Sequence, residues 1–481
     1  MAQPIRSDEG GYLYVARNWA PGEGEFVYGD FHVDRPPVLM AFFGLAALWE
    51  DDAAIRVITI PVVVAIVLAT AHAAGLLAGP VATRWAAVVT AALMCSPAIS
   101  ADQADSVMFA LLFVTGSIAA LLYGWWAGGL RATVAWGLAA GVLAAAAPLA
   151  KQNFVDAVVF AGVLIAVSAL RHRSSRKRLG VLAAGFAGGT VVAAAALAAW
   201  ALLEGVPAEA MWADVMVFRV EAGQVLAASH HSAPMERARL LVLAAVTSGA
   251  VPVVVTWSAW LLRRRRTLRA EHWALFALLG CSTTGIVLGG SYWLDYLQAL
   301  APGAGLAAGL VIAGGGGGRR LMRGLALWTA VASLMAVATT TIAYQTSPRL
   351  WYPQLIGGWV ADSAKKGDTM VVAYGNTQVM EAADLPTPYP YLWSLPMRTL
   401  DPEQQRFERL LEGPARPTWF IVLNGVNSWD IDDDGRLRSL LEKHYEPAAT
   451  ICGYDVLVRA DVERRLAAVP SCDSTRLVAR L

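Results

Sequence analysis

Between Ile58 and Ala78 the chain reads ITIPVVVAIVLATAHAAGLLA, 21 residues with no Asp, Glu, Lys or Arg. A bilayer core about 30 Å thick takes about 20 apolar residues as a helix. Lipid offers no partner for backbone N–H and C=O groups, so such a run crosses it as a helix that satisfies them internally. Ten stretches of this kind recur, at 53–79, 85–100, 105–123, 132–150, 154–170, 179–203, 238–262, 272–290, 297–313 and 324–343. The expected fold class is therefore an all-α, multi-pass transmembrane bundle of about ten helices. A chain that is 57% hydrophobic and only 16% charged is too apolar for an ordinary soluble protein of 481 residues. The first 50 residues lack a basic leader, an apolar run and a small-residue cleavage site in that order, so insertion is expected to use internal helices.

The 38 cations and 37 anions nearly cancel, which excludes a polybasic partner logic such as nucleic-acid binding and leaves their positions as the informative quantity. Alternate loops carry the basic charge: Arg84, Arg131, RHRSSRKR at 171–178, RRRRTLR at 263–269 and RRLMR at 319–323. By the positive-inside rule these face the cytoplasm. The remaining loops then lie outside: ISADQAD at 99–105, KQN at 151–153, the long segment 204–237, SYWLDY at 291–296 and everything after Tyr344. The apolar piece from Pro36 to Trp49 is too short to span and reads as an interfacial helix on the outer surface. About 50 residues thus begin outside. Either they cross tail-first or a further helix precedes them.

After Tyr344 the pattern changes. TMVVAY (369–374), TWFIVL (418–423) and YDVLVRA (454–460) read as strands. DPEQQRFERLLE (401–412), opened by an Asp-Pro helix start, and GRLRSLLEKHY (435–445) read as helices. The expected domains are an outer loop with its interfacial helix at 1–52, the bundle at 53–343 and a small extracytoplasmic α/β domain at 345–481. GGGGG at 314–318 reads as a flexible linker. Cys95 and Cys281 fall in apolar helices as packing residues. Cys452 and Cys472 stand in the tail, where an oxidising compartment permits a disulfide between them.

Polar chemistry gathers outside. Asp8 and Glu9 are either solvated charges near a chain end or carboxylates held above the membrane under Tyr12, Tyr14, Trp19 and Tyr28, where one takes a proton from a sugar or lipid hydroxyl. Asp34 and Arg35 precede two prolines that stiffen the turn. Arg35 suits a phosphate through charge-assisted bonds, and Asp34 suits a divalent metal. His230 and His231 read as solvated loop residues. DIDDDG at 430–435 imitates the start of an EF-hand loop but has Leu441 where the twelfth-position Glu belongs. It reads as a turn whose acids favour the next helix start.

The spacing of DEGGY at 8–12 and DRPP at 34–37 resembles the first outer loop of the GT-C glycosyltransferases. That group includes the protein O-mannosyltransferases, the lipid A aminoarabinose transferase and the RgtA/B/C/D-like enzymes. ADQADSVMFALLF (101–113), GLAAGVLAAAAPLAKQ (137–152) and YWLDYLQALAPGAGLAAG (292–309) resemble three later pieces of the same family, in the same order. The resemblance implies an enzyme of the bacterial cytoplasmic membrane that moves a hexose or pentose from a polyprenyl-phosphate carrier to a glycan, lipid or protein acceptor, with inversion. It assigns Asp8 as general base and Arg35 as the catalytic cation, in place of the family's Lys, a planar fork for a point charge. It assigns Glu9, Asp105, Lys151, Gln152 and Tyr296 to substrate binding and Asp34 to a metal such as Mg, Mn or Zn. Asp102 rivals Asp105, which read alone is also a helix N-cap, and Lys151 read alone is also a snorkelling anchor. Two departures stand out. Asp295 precedes Tyr296 where the family often has His, and the family's basic stub and first transmembrane helix do not precede Asp8 here. The rivals are a transporter or flippase for a lipid-linked sugar, which calls for ionisable groups mid-membrane, and a non-catalytic membrane receptor.

Overall fold

A computed structural model describes residues 3–49, 51, 53–171, 176–228, 233–264 and 267–472. His230 and His231 lie outside the described residues. The chain opens with helices α1 (Ser7–Arg17) and α2 (Pro37–Ala46). α1 carries Asp8 and Glu9 in its first turn and Arg17 in its last, the polarity a helix dipole favours. α2 starts on Pro37, whose missing N–H is harmless at a first helical position. Its 10 residues rise only about 15 Å, too little to cross a bilayer.

The bundle follows as α3 (Ala54–Ala78), α4 (Pro80–Met94), α5 (Ser106–Trp126), α6 (Leu130–Ala150), α7 (Asp156–Arg171) and α8 (Arg176–Leu203). Short pieces come next: α9 (Ala208–Trp212), a π turn over Ala213–Val217 and α10 (Phe218–Ala228). Then come α11 (Ala233–Thr247), α12 (Ala250–Arg263), α13 (Ala270–Leu288), a 3-10 segment Leu294–Leu300 leading into α14 (Ala301–Gly314), and α15 (Gly318–Thr346). Among the described residues seven helices are long and apolar enough to cross a membrane, or eight if the bent α11–α12 pair is one span.

All ten expected ranges are helical, but three do not make a full straight span. α4 has 15 residues, a rise of about 22 Å, because Gly79–Pro80 delimits its start and Ser96–Pro97 its end. α7 has 16 residues. The run at 238–262 breaks at Gly249, whose φ of 88° only a residue without Cβ adopts freely, and its halves meet at 63°. α5 and α14 are the most buried of the spans, whereas α8 and α15 turn most of their apolar surface outward, as lipid-facing helices do.

α6 and α8 meet through small residues. A Cβ on Gly137 would sit 2.9 Å from the Leu182 carbonyl oxygen, and Gly141 and Gly189 each press directly on a backbone carbonyl of the facing helix. The four-residue spacing Gly137/Gly141 against Gly185/Gly189 is the close-approach pattern that dispersion between membrane helices exploits. The glycine run at 314–318 is a tight turn between α14 and α15, with φ of 68° at Gly315 and 84° at Gly316, rather than a long linker.

The tail is an α/β unit: α16 (Tyr352–Ser363), β1 (Met370–Val372), α17 (Gln378–Ala383), α18 (Ser394–Leu400), α19 (Gln405–Glu412), β2 (Trp419–Ile421), α20 (Arg436–His444), β3 (Tyr445–Ile451) and β4 (Tyr454–Arg459). The four strands run in the order β1-β2-β4-β3. β1 and β2 are parallel, with Met370 opposite Trp419, and the other pairs are antiparallel. The sequence pattern misses β3, whose Pro447 sits at a register shift, where an edge strand tolerates proline. Cys452 and Gly453, both at positive φ, turn β3 into β4 as hairpin loops require, and Cys452 is disulfide-bonded to Cys472.

Asp401 does not start α19 directly, since Gln404 at φ 50° intervenes. Its carboxylate still accepts from the N–H groups of Arg406 (3.0 Å) and Phe407 (3.1 Å) at that helix start. Asp432 of DIDDDG likewise accepts from the N–H groups of Leu437 (2.7 Å) and Arg438 (3.1 Å) at the start of α20.

Replacing Gly141 by Val is expected to force α6 and α8 apart and cost about 1–3 kcal/mol, read as a lower thermal-aggregation midpoint in detergent. Gly162→Ala, where an added Cβ meets nothing within 4 Å, is expected to leave the midpoint unchanged or raise it. Equal midpoints for the two variants would contradict the close-packing assignment.

Candidate active site

Glu9 is buried, and its carboxylate takes four donors. Oε2 accepts from the Arg6 backbone N–H (2.9 Å) and Arg56 Nη2 (2.8 Å), and Oε1 accepts from Arg56 Nε (3.2 Å) and the Ala104 N–H (2.8 Å). The first contact is half of a capping box. The others bolt α1 to α3 and to the segment that leads into α5. Asp8, one residue earlier and so about 100° around the helix, faces a cavity of about 530 Å³.

The glycines after the acidic pair set the opposite wall. A Cβ on Gly10 would lie 2.7 Å from Gln378 Cα, and one on Gly11 would collide with the Trp393 ring. Their absence lets the tail dock on α1, where Trp393 Nε1 donates to Asp8 Oδ1 at 3.0 Å. Enclosure raises the Asp8 pKa; Arg35 opposes this, while Asp105 and Asp34 add to it.

The turn ahead of α2 is aimed by its backbone. Tyr28 donates its hydroxyl to the Arg35 carbonyl (2.6 Å), and Gln152 Nε2 donates to the Asp34 carbonyl (3.0 Å) and to that of Val215 (3.3 Å). Arg35 Nη1 lies 3.0 Å from both Asp34 oxygens, and Arg219 of α10 also pairs with Asp34. The Arg35 guanidinium lies 5.8 Å from the centre of the Tyr12 ring. Burial works against its charge, but Asp34, Tyr12, Asp8 and Asp105 outweigh burial and push its pKa above the usual range.

Lys151 caps the end of α6, where a helix dipole favours a cation. Its Nζ lies 4.8 Å from the centre of the Tyr296 ring and 3.7 Å from Asp295 Oδ2. Asp105 caps α5, accepting from the Val107 N–H (3.1 Å) and the Ser106 hydroxyl (2.8 Å). Burial would raise the Asp105 pKa, but Lys151 and these hydrogen bonds hold it below the usual carboxylate range. The rival Asp102 accepts from the Tyr344 hydroxyl, which in turn accepts from Arg6 Nη2 at 3.0 Å, and it does not line the cavity.

Of the eight residues singled out from sequence, seven line this one cavity: Asp8, Glu9, Asp34, Arg35, Asp105, Lys151 and Tyr296. Glu9 contributes with its oxygens already committed, and Gln152 stands behind the wall as a strut. Of the four aromatics expected as a roof, only Tyr12 reaches the cavity. Tyr14 donates to the Leu385 carbonyl at 3.0 Å, and Trp19 packs on Tyr28 with ring centres 5.0 Å apart. Trp393 and Trp429 of the tail take the place of the other three.

The sequence reading passed over several lining residues. Arg237 donates Nε to the Ser291 carbonyl at 2.8 Å and stacks 4.3 Å from the centre of the Trp293 ring. Arg219 and Arg237 had a legible signal, as arginines in a segment assigned to the side poor in them. Arg398, which lies 5.5 Å from the Trp429 ring centre, and Trp393 had none. His32 also lines the cavity, buried among Phe26, Phe218 and Tyr391. Burial lowers its pKa to about 4 and raises that of Asp214, 3.8 Å away, to about 6.

A resident metal does not fit these residues. Among the described residues no three His, Cys, Asp or Glu side chains converge as metal ligands. The Asp34 carboxylate is already clamped between two guanidinium groups. No chemical step is therefore routed through a metal.

No family model matches the chain and no curated protein matches it. Solved structures do. ArnT from Cupriavidus metallidurans in the apo state superposes with a TM-score of 0.61 at 15% identity, over 95% of this chain and 94% of that one. The same protein bound to undecaprenyl phosphate gives 0.57 at 14% identity, over 98% and 95%. This chain shares the fold of that protein. An oligosaccharyltransferase from Archaeoglobus fulgidus in the apo form gives 0.50 at 13% identity, over 80% of this chain and 61% of that one. At such identities the likeness is one of fold. Within the bundle the cavity sits where α1, the ends of α5 and α6, the 3-10 segment before α14 and the tail converge.

Arg56→Ala is expected to leave Glu9 buried without its cation and to cost about 3–5 kcal/mol. Arg406→Ala removes the exposed pair with Glu25 and is expected to cost about 0–1 kcal/mol. Thermal unfolding of both variants in the same detergent checks the ranking.

Proposed function

We propose that this protein is a membrane glycosyltransferase that moves a hexose or pentose from a polyprenyl-phosphate carrier to a hydroxyl of a glycan, lipid or protein acceptor. The observation that carries the reading is one cavity holding a carboxylate of raised pKa, Asp8, together with the cations Arg35 and Lys151. The first suits a base and the others an anionic leaving group. The GT-C fold, and a neighbour of that fold bound to undecaprenyl phosphate, support the same donor class. On this reading the cavity and tail face away from the cytoplasm, as the basic loops imply, in a bacterial cytoplasmic membrane.

The chemistry is a single displacement. Asp8 accepts the proton of the acceptor hydroxyl as its oxygen attacks the anomeric carbon. The bond from that carbon to the phosphate oxygen breaks on the far face, which inverts the centre. The departing phosphate monoester gains a negative charge, which the Arg35 guanidinium and the Lys151 ammonium stabilise in a site already organised for it. Asp34 holds Arg35 in place, Gln152 fixes the backbone of that turn, and Tyr296 shapes the Lys151 side of the pocket. Glu9 is a structural latch. Trp393 orients the base through its hydrogen bond to Asp8.

In proteoliposomes with a radiolabelled polyprenyl-phosphate sugar, Asp8→Asn is expected to lower kcat by about 10²–10⁴ while the thermal midpoint stays within a few degrees. Unchanged transfer would overturn the assignment. Because Asp8 must be ionised to act and its pKa is raised, activity is expected to fall as pH drops through a value above the ordinary carboxylate range of about 4. A pH–rate profile flat through that region would exclude Asp8 as the base.

A further inference from the structure

A second cavity, of about 380 Å³, lies at the end of the bundle opposite Asp8. α3 starts beside Glu9, with which its Arg56 pairs. Its 25 residues rise about 37 Å to Leu77 and Ala78 in the wall of this cavity. The ends of α12 and α14 and the start of α13 complete the wall. Arg264, Thr267 and Arg269 belong to the basic run at 263–269, so by the positive-inside rule the cavity lies at the cytoplasmic headgroup level.

Its charged and aromatic side chains are hydrogen-bond donors. Arg264 lies 4.8 Å from the centre of the Trp260 ring and donates Nη2 to the Gly315 carbonyl at 3.4 Å. Arg269 donates Nη2 to the Leu77 carbonyl at 3.4 Å and pairs through Nε with Glu271 at 2.6 Å. Each guanidinium has five N–H donors, more than these contacts use. His272 Nδ1 accepts from the Arg269 N–H at 3.2 Å, which puts the hydrogen of a neutral ring on Nε2. Among the described residues no Asp or Glu lines the cavity.

Trp260 points the same way independently. It is only 9% exposed, and among the described residues its buried Nε1 has no hydrogen-bond partner, where buried polar groups are normally paired. The ring edge that carries Nε1 lies against the glycine turn. A Cβ on Gly314 would sit 3.4 Å from Cζ2, and one on Gly318 would sit 3.3 Å from Cδ1. A Cβ on Gly316 would lie 3.1 Å from Arg264 Nη2. The turn thus crowds no side chain onto the indole or the guanidinium.

We propose that this cavity binds the phosphate of an anionic phospholipid of the cytoplasmic leaflet, clamped between Arg264 and Arg269 with the Trp260 indole as a third donor. Forked guanidinium groups match phosphate oxygens, and basic pockets between membrane helices on this side take anionic headgroups. Leu77, Leu268 and Leu310 in the wall give acyl chains an apolar surface, which a free phosphate ion does not need. A lipid held between the ends of four helices stabilises the folded bundle by mass action. The site is separate from the transfer reaction and does not depend on it.

The test uses the full chain in a neutral detergent, titrated with phosphatidylglycerol, with phosphatidylcholine of the same acyl chains, or with inorganic phosphate. Native mass spectrometry counts bound lipid, and the thermal midpoint is followed in parallel. The wild type is expected to retain phosphatidylglycerol and melt higher with it, and to respond to neither of the others. Arg264→Gln/Arg269→Gln is expected to weaken binding by about tenfold or more, and Trp260→Phe, which removes the indole N–H, by about threefold to tenfold. Arg131→Gln changes an exposed cation of the same face outside the cavity and is expected to bind as the wild type does. Unchanged binding in the double variant, equal loss in Arg131→Gln, or equal retention of phosphatidylcholine overturns the site. Stabilisation by inorganic phosphate equal to that by phosphatidylglycerol overturns the lipid assignment. If the double variant does not fold, Trp260→Phe measured against Arg131→Gln decides.

Discussion

Everything at the cavity end of this molecule hangs on a carboxylate whose oxygens are already committed to other parts of the chain. Glu9 gathers a guanidinium and two backbone N–H groups from three separate parts of the chain. A buried charge is tolerated only when such partners are complete, so the site has one low-energy way to assemble. α1 cannot slide along α3, and the segment before α5 cannot lift, without stripping donors from an anion in a dry place. Asp8 inherits its direction from that constraint, because adjacent residues on a helix point about 100° apart.

A second layer of organisation is electrostatic. Asp34 sits between Arg35 and Arg219, and Lys151 lies beside Asp295. Each cation that a phosphate would use is thus held by an anion behind or beside it. Cations fixed this way need little rearrangement when charge develops in front of them, which is the condition for effective transition-state stabilisation. The Arg219 contact also joins α10 to the first turn, so the same pairs that order the charges close one side of the cavity.

The bundle and most of the residues that line the cavity were legible in the sequence because they obey local rules. Apolar runs report spans, alternating basic loops report sides, and DEGGY and DRPP carry their own spacing. What escaped was set by distance or by a local override. The broken run at 238–262 depends on one glycine conformation, and β3 is hidden by a proline that a sheet edge accommodates. The docking of the tail brings Trp393, 385 residues downstream, to Asp8 and Arg398 to the same cavity. No window along the chain could pair them. Asp102 and Asp105 were indistinguishable as acids three residues apart; the start of α5 separates them, turning one into the cavity and the other toward Tyr344.

The glycine pair at the front of α1 has a further meaning. Gly10 and Gly11 are the footprint of the tail on α1, so the cavity has one wall from that helix and one from the tail. The tail is then not an interchangeable module. Recombination that exchanged it between relatives would also exchange the indole that touches Asp8, and the new tail would have to fit a groove two hydrogens wide. Variation in the tail and variation along α1 are bound to proceed together.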